Sequence, residues 1–339
     1  MKLEIELLAL ETRHTFTIAR GARKKYRNFI FQLTWEGITG LGEAAPQSYY
    51  GEDEASVLDA VRRIEGKLDA GPEELKGRLF AGDLNAMLER DNSVRAGLDM
   101  ALWDIIGRRE GKPCHALFSL DPRQTPCTSF TIGFDSPEIV RVKLSEAQPY
   151  PILKIKMGMP GDLEILDEVR GRTGKTIRVD VNEGWDLETA LRRVGELEQR
   201  GVEFVEQPLS HHMREDLKTL KGASGIPVVL DESIVRPADV DDCRDQGHGI
   251  NIKLMKCGGI TPAREMIRRA KRHGLRVMLG CMIETSVGIT AAAQLSPEAD
   301  YADLDGNLLL SEDPFVGVRV ENGRLILPDG PGLGVVRRE

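Results

Sequence analysis

Over the first fifty or so residues, apolar and polar positions alternate in runs such as LEIELLAL and NFIFQLTW, the two-residue period of strands with one face in a core. Gly37, Gly40 and Gly42 punctuate these runs, so the segment predicts an antiparallel meander with turns at the glycines. Beyond residue 53 the period lengthens. In SVRAGLDMALWDIIGRR, the residues Val94, Leu98, Ala101, Leu102 and Ile105 recur at three- and four-residue intervals, which places them on one face of a core-like helix. Strands followed by helices predict an α+β unit over residues 1–115, and GKPCHALFSLDPRQTP reads as a linker leaving it.

A second rhythm begins near residue 125. Short β-branched runs (CTSFTIG, ILKIKMG, TIRVDVNEG, VEFVEQP, VVLDES, INIKLMKCGG, VMLGCMIE and YADLDG) alternate with helical stretches. Polar residues near the ends of successive runs, Lys154, Asp180, Glu206, Asp231 and Lys253, stand about 25 residues apart, the length of one strand plus one crossover helix. These runs predict an α/β fold of the (β/α)8 type, a modified TIM barrel over residues 116–310 that carries the active site, with the α+β unit as an N-terminal capping domain. The tail, about 311–339, contains ENGRLILPDGPGLG and predicts a short hairpin returning to the cap.

Composition narrows the classes. A chain of 339 residues, 41% of them hydrophobic, supplies one barrel and a smaller second core. A net charge of −8 with both signs interspersed excludes the basic footprint of a nucleic-acid binder. No run approaches the ~18 apolar residues of a membrane span, and MKLEIELLALETRHTF has neither the apolar stretch nor the cleavage site of a secretion signal. The five cysteines are odd in number and form no C-x-x-C pair, which argues for a reducing compartment and against zinc or a disulfide framework. A cytoplasmic protein with no membrane partner is the expectation.

Strand alternation then selects the residues that face the barrel axis. In Leu153-Lys154-Ile155-Lys156-Met157 the apolar residues pack outward under helices and both lysines point in. Asn251 and Lys253 do the same in Ile250-Asn251-Ile252-Lys253-Leu254, and Asp303 and Asp305 flank an outward Leu304. Lys256, three residues past Lys253, falls on the opposite strand face. Asp180, Glu206 and Asp231 end three consecutive strands, and hard oxygen ligands without histidine or thiolate suit Mg²⁺ better than zinc. Any one of these acids alone reads more simply as a helix N-cap; the three together, flanked by inward lysines, point to a metal. A metal bound to a substrate carboxylate stabilises an enediolate, so an α-proton becomes removable. Lysine serves as the base where its surroundings favour the neutral amine. Lys156 and Lys253 lie on opposite sides of a closed barrel of eight, the placement that racemisation or epimerisation needs. His211-His212 read as a solvated loop, and Gly158-Met159-Pro160-Gly161 and Gly258-Gly259 as turns.

These motifs resemble the enolase superfamily, muconate-lactonising subgroup, and more closely its dipeptide epimerases, whose lysine-and-Mg²⁺ chemistry is a known pattern. The likeness runs from ARGAR and PQSYYGEDEAS through LKIKMG, VDVNEGW, EQPL, DES, NIKLMKCGG and GCMIETSVGIT to ADLDG, nearly the whole chain. The resemblance implies an isomerase that inverts the α-carbon of the C-terminal residue of L-Ala-L/D-Glu-like dipeptides by 1,1-proton transfer, with one Mg²⁺ per subunit on Asp180, Glu206 and Asp231. It implies Lys156 as base for the R (D) configuration and Lys253 for the S (L) one. Lys154 then touches the substrate carboxylate, Asp303 and Asp305 hold its α-ammonium, and Thr131, Cys281 and Ile283 line the site. Arg23, with Arg20 near it, falls where an arginine meets the glutamate side chain. A homo-oligomer and a setting in peptidoglycan recycling are further implications. Two other readings are an o-succinylbenzoate synthase or lactonising enzyme of the same subgroup, which has no ammonium to bind, and a non-catalytic barrel that binds metal and a small ligand.

Overall fold

In the computed structural model, which describes residues 1–339, three long strands form the first domain's antiparallel sheet: β1 (Lys2–Ile18), β2 (Gly21–Trp35) and β3 (Ile38–Ala44). The two-residue period of β2 explains how one sheet serves two cores. Phe29, Phe31 and Leu33 point into a cluster with the cap helices, whereas Tyr26 and Ile30 point into the large core shared with the barrel. Only Gly37 of the three predicted turn glycines makes the turn between β2 and β3, with φ at 81°. Gly40 and Gly42 lie inside β3, where the helix Asn92–Glu110 crosses so closely that a Cβ on Gly42 would stand 1.8 Å from the carbonyl oxygen of Gly97.

That helix carries the expected apolar stripe, Val94 through Ile105, into the cap core. It also has a second buried face: Ala96 and Met100 join the barrel's core, and Asp99 accepts hydrogen bonds from the Thr261 backbone N–H at 2.7 Å and its hydroxyl at 2.6 Å. The cap is therefore packed onto the barrel along a helix, a strand and a buried polar contact. The predicted linker is packed as well, since Cys114 and His115 are buried and Gln294 of the barrel accepts from the His115 N–H at 2.8 Å.

Eight parallel strands follow: β4 (Phe130–Ile132), β5 (Ile152–Lys156), β6 (Thr176–Asp180), β7 (Val202–Glu206), β8 (Val228–Leu230), β9 (Gly249–Lys253), β10 (Arg276–Gly280) and β11 (Tyr301–Asp303), hydrogen-bonded in sequence order. A parallel bridge between Thr128 and Ala302 brings the first run against the last and closes the barrel. Leu153, Ile155, Ile250 and Ile252 pack outward in the main core, as their alternation requires. The eighth unit departs from the simple repeat: no helix follows β11, and the chain runs instead into the short hairpin β12 and β13 (Arg319–Glu321 and Arg324–Ile326). The hairpin lies against the start of the barrel, where the Thr128 N–H donates to the Gly323 carbonyl at 2.8 Å, while Arg337 reaches back to Glu6 of the cap at 2.6 Å. No helix is long and apolar enough to cross a membrane.

Candidate active site

A cavity of about 480 Å³ opens where the C-terminal ends of the barrel strands face the cap. Its size suits a small ligand. From the barrel it is lined by Thr131, Lys154, Lys156, Asp231, Lys253, Cys281, Ile283, Asp303 and Asp305, all singled out by the sequence pattern or the resemblance. Asp180 and Glu206 lie just beneath, fully buried. Strand register sets these groups in one layer: Lys156 pairs with Asp180 and Asp180 with Glu206, and farther round Lys253 pairs with Gly280 and Gly280 with Asp303. Gly280 leaves room in that layer, since a Cβ there would strike the Asn251 amide at 2.4 Å.

Charge balances charge throughout the floor. Lys154 Nζ lies 2.6 Å from Asp303, 2.8 Å from Glu206 and 3.0 Å from Asp180. Lys156 Nζ donates to Asp180 at 2.6 Å and to the Asn182 side-chain oxygen at 3.2 Å. Lys253 Nζ donates to Asp231 at 2.7 Å. Burial alone would depress Lys154 and Lys253, but the Asp180 and Asp303 carboxylates hold Lys154 well above the usual lysine range and those of Asp231 and Glu206 do the same for Lys253. Burial likewise opposes ionisation of Asp180 and Asp231, and the ammonium groups beside them win, holding both well below the usual carboxylate range. Glu206 goes the other way, pushed up to about 7 by burial and by the Asp180 charge.

With the side chains so placed, no three acids are arranged to hold a metal ion, because ammonium groups stand among them. The donors nonetheless fit a hard dication. Asp180, Glu206 and Asp231 feel one another's charge, all three donors are oxygen, and Glu206 Oε2 is buried without a hydrogen-bond partner although Lys154 is close. Lys154 supplies charge beside that oxygen but no hydrogen bond to it, so one buried lone-pair direction is left for a cation to complete.

The acid pair ending the last strand is split by its surroundings. Asp303 accepts from the Ser129 hydroxyl at 2.6 Å and pairs with Lys154, and burial is outweighed so that it stays ionised. Asp305 accepts from the Thr131 N–H at 2.6 Å but is pushed up to about 7, first by burial and then by Asp303. Lys154 is thus already bound to one member of the pair, a contact the strand pattern did not foresee.

Other placements differ from the sequence reading. Lys256 is not on an outer strand face: β9 stops at Lys253, a helical turn spans Leu254–Cys257, and Lys256 folds back, fully buried, to donate to the Asp231 carbonyl at 2.6 Å and the Asn251 carbonyl at 3.1 Å. His211 is held rather than free, its ring nitrogen 2.7 Å from Glu183 and 3.1 Å from the Tyr49 hydroxyl. From the cap, Phe16, Ile18, Tyr26, Tyr49 and Tyr50 line the cavity with Arg20 and Arg23. Arg20 is engaged by Glu232 at 2.7 Å, whereas Arg23 is exposed and donates only to the Ser48 hydroxyl at 3.1 Å. Glu232 and Asn182 escaped the pattern, whereas Arg20 is named there beside Arg23 but its engagement by Glu232 is not foreseen. Glu232 directly follows Asp231 beyond the end of β8, where alternation no longer assigns a face, and Asn182 has a left-handed φ of 47°.

The family model described as "Mandelate racemase / muconate lactonizing enzyme, N-terminal domain" matches residues 3–119, and the model "Enolase C-terminal domain-like" matches residues 140–339. The chain belongs to the enolase superfamily. Within that superfamily it is 40% identical to an L-Ala-D/L-Glu epimerase from Bacteroides thetaiotaomicron over 99% of this chain and 88% of the relative. It is 38% identical to an L-Ala-D/L-amino acid epimerase from Flavobacterium johnsoniae over 99% of both chains. A crystal structure of a dipeptide epimerase from Cytophaga hutchinsonii, complexed with Mg and the dipeptide D-Ala-L-Val, superposes with a TM-score of 0.93 at 25% identity, covering 99% of this chain and 95% of that one. The enolase-type barrel described above, with its antiparallel cap, is the architecture these proteins share, and the chain is an isomerase of the racemase and epimerase kind.

Proposed function

We propose that the chain is a magnesium-dependent dipeptide epimerase that inverts the α-carbon of the C-terminal residue of L-Ala-L/D-Glu-like dipeptides. The observation that carries the reading is the pair of lysines in one cavity: Lys156 ends β5 and Lys253 ends β9, four strands apart whichever way round the barrel is counted. Two amines so placed reach one carbon from opposite faces. One takes the α-proton, and the electron pair passes into the neighbouring carboxylate to give a planar enediolate. The other amine, already an ammonium, returns a proton to the opposite face. A lone binding site needs no such pair.

In this reading Asp180, Glu206 and Asp231 hold one Mg²⁺, which supplies positive charge to a substrate carboxylate. Lys154 stands at the same carboxylate and adds a fixed ammonium. Asp303 and Asp305 face the cavity where a dipeptide's α-ammonium would lie, and that cation would offset the burial and the Asp303 repulsion that push Asp305 up. The acid pair disfavours a synthase or lactonising activity, whose substrates bring no ammonium. Thr131, Cys281 and Ile283 wall the dipeptide. Of the two cap arginines Arg23 has no carboxylate partner, so it is the one available to an acidic side chain. Residues 1–115 serve as the cap and 116–310 as the catalytic barrel. Incubation of L-Ala-L-Glu with the chain and Mg²⁺ in deuterated water tests the reading: deuterium at the glutamyl α-carbon together with the D-Glu epimer is expected, and its absence overturns the substrate assignment.

A further inference from the structure

We propose that Arg20 of the cap, acting through Glu232 and Asn182, orients the amine of Lys156 and does not orient that of Lys253. The proposal rests on the epimerase reading above and adds to it three positioning residues on one side of the reaction only.

The contacts form an unbroken chain. Arg20 Nη2 lies 2.7 Å from Glu232 Oε1, and Arg20 Nη1 donates to the Asn182 carbonyl at 3.1 Å. Asn182 Nδ2 donates to the same Glu232 oxygen at 3.2 Å, which leaves Asn182 Oδ1 facing Lys156 Nζ, also at 3.2 Å. The amide cannot turn over without setting its carbonyl oxygen against the Glu232 carboxylate, so Glu232 fixes which end of Asn182 the lysine meets. Backbone geometry reinforces this. Asn182 sits in the left-handed region at φ 47°, a conformation asparagine tolerates better than most residues, and its N–H donates to Asp180 Oδ1 at 3.0 Å. Arg20 is itself braced: its guanidinium lies 4.2 Å from the centre of the Tyr49 ring, and the Tyr49 hydroxyl donates to Glu183 at 2.7 Å. Lys253 makes no hydrogen bond to this chain, its own going to Asp231, and feels Glu232 only through its charge.

The chemistry gives the arrangement a purpose. A neutral lysine amine has two N–H donors and one lone pair. If Asp180 Oδ2 and Asn182 Oδ1 each take one N–H, the lone pair has a single remaining direction. When Lys156 acts as base, the substrate Cα–H bond breaks, its electron pair moves into the carboxylate, and a third N–H forms at Nζ. Without Asn182 Oδ1 the amine rotates about its terminal bond and the lone pair is no longer aimed. A misplacement of this size costs on the order of 100-fold in rate. Lys253 works from the opposite face with its own hydrogen-bond partner, so proton removal from the other epimer does not depend on how Asn182 is turned.

The test measures α-proton exchange in deuterated water separately for L-Ala-L-Glu and L-Ala-D-Glu, with Mg²⁺, for the wild-type chain, Arg20→Ala, Arg20→Lys and Asn182→Ala, with Lys156→Ala showing which epimer Lys156 serves. Initial rates are read, before inversion mixes the two. Asn182→Ala and Arg20→Ala are expected to lower exchange of the Lys156-served epimer by about 10- to 100-fold and that of the other epimer by much less. Arg20→Lys recovers part of the loss, since a single ammonium still reaches Glu232 but not Asn182 as well. Arg20→Ala strands the buried Glu232 carboxylate, so thermal unfolding is measured for every variant, and Arg20→Lys, which keeps a charge beside Glu232, is the variant expected to keep the fold. Equal losses for both epimers, or no loss for either, overturn the proposal while the epimerase reading stands. If the wild-type chain exchanges neither epimer, the epimerase reading itself fails and this one falls with it.

Discussion

The barrel side and the cap side of the cavity face one another but are built differently. On the barrel, Lys154, Lys156, Lys253 and their acids are nearly or fully buried, each held by at least one opposite charge. On the cap, Arg23 is exposed with a single hydroxyl partner, and Arg20 reaches across from a hairpin tip to barrel carboxylates. Buried charges tolerate little change, because removing one partner strands the other in the interior. Exposed charges tolerate much. In the proposed reading, the chemistry sits where substitution is expensive and the contact with a variable side chain sits where it is cheap, a division that would let one scaffold take different substrates.

Asp231→Asn should show the largest effect. Lys253 and Lys256 both lean on this carboxylate, so the variant should lose turnover and, without added metal, unfold about 3–5 kcal/mol more easily in a denaturant titration. A loss below 1 kcal/mol would show that the barrel floor is no stiffer than the cap rim.

Next comes the seam where the two sides meet. Glu284, after β10, is pushed up to about 8 by burial and by Glu43 of the cap strand β3. Both carboxylates crowd Gly288, where a Cβ would stand 2.2 Å from Glu284 and 3.1 Å from Glu43. Folded Glu284 keeps its proton up to about pH 8, whereas the unfolded chain releases it near the ordinary value of 4.5. The stability it contributes is full below the unfolded value and is lost as pH rises toward the folded one, at up to about 1.4 kcal/mol per pH unit. Stability measured across that window should fall for the wild-type chain and fall less steeply for Glu284→Gln. Equal slopes would remove Glu284 from the account.

Arg23→Ala should give the smallest change in stability, within about 0.5 kcal/mol. It should still raise KM for L-Ala-L-Glu more than for L-Ala-L-Val. Equal changes for both substrates would break the division between a fixed floor and an adjustable rim.

What was legible in the sequence follows the same division. Lys154, Lys156, Lys253, Asp303 and the three acids lie on or at the ends of strands, where a period of two assigns every side chain a face, and the structure places them at or directly beneath one cavity. Periodicity stops where the strand stops. Lys256 was misplaced because β9 passes directly into a helical turn, and Glu232 and Asn182 were passed over because loop conformation, including one left-handed residue, decides where they point. Gly40 and Gly42 read as turns because composition alone does not distinguish a glycine that bends the chain from one that lets a helix approach. The second face of the Asn92–Glu110 helix was hidden by its small residues, Ala96 among them, which give no strong apolar signal yet pack closely against the barrel.

The central claim is that one divalent ion and two opposed amines converge on a single carbon, and a crystal structure of the chain with Mg²⁺ and L-Ala-L-Glu tests it most directly. The account predicts Asp180, Glu206 and Asp231 around the ion, with the Lys156 and Lys253 amines on opposite faces of the glutamyl α-carbon. An ion held elsewhere, or both amines on the same face, would contradict it.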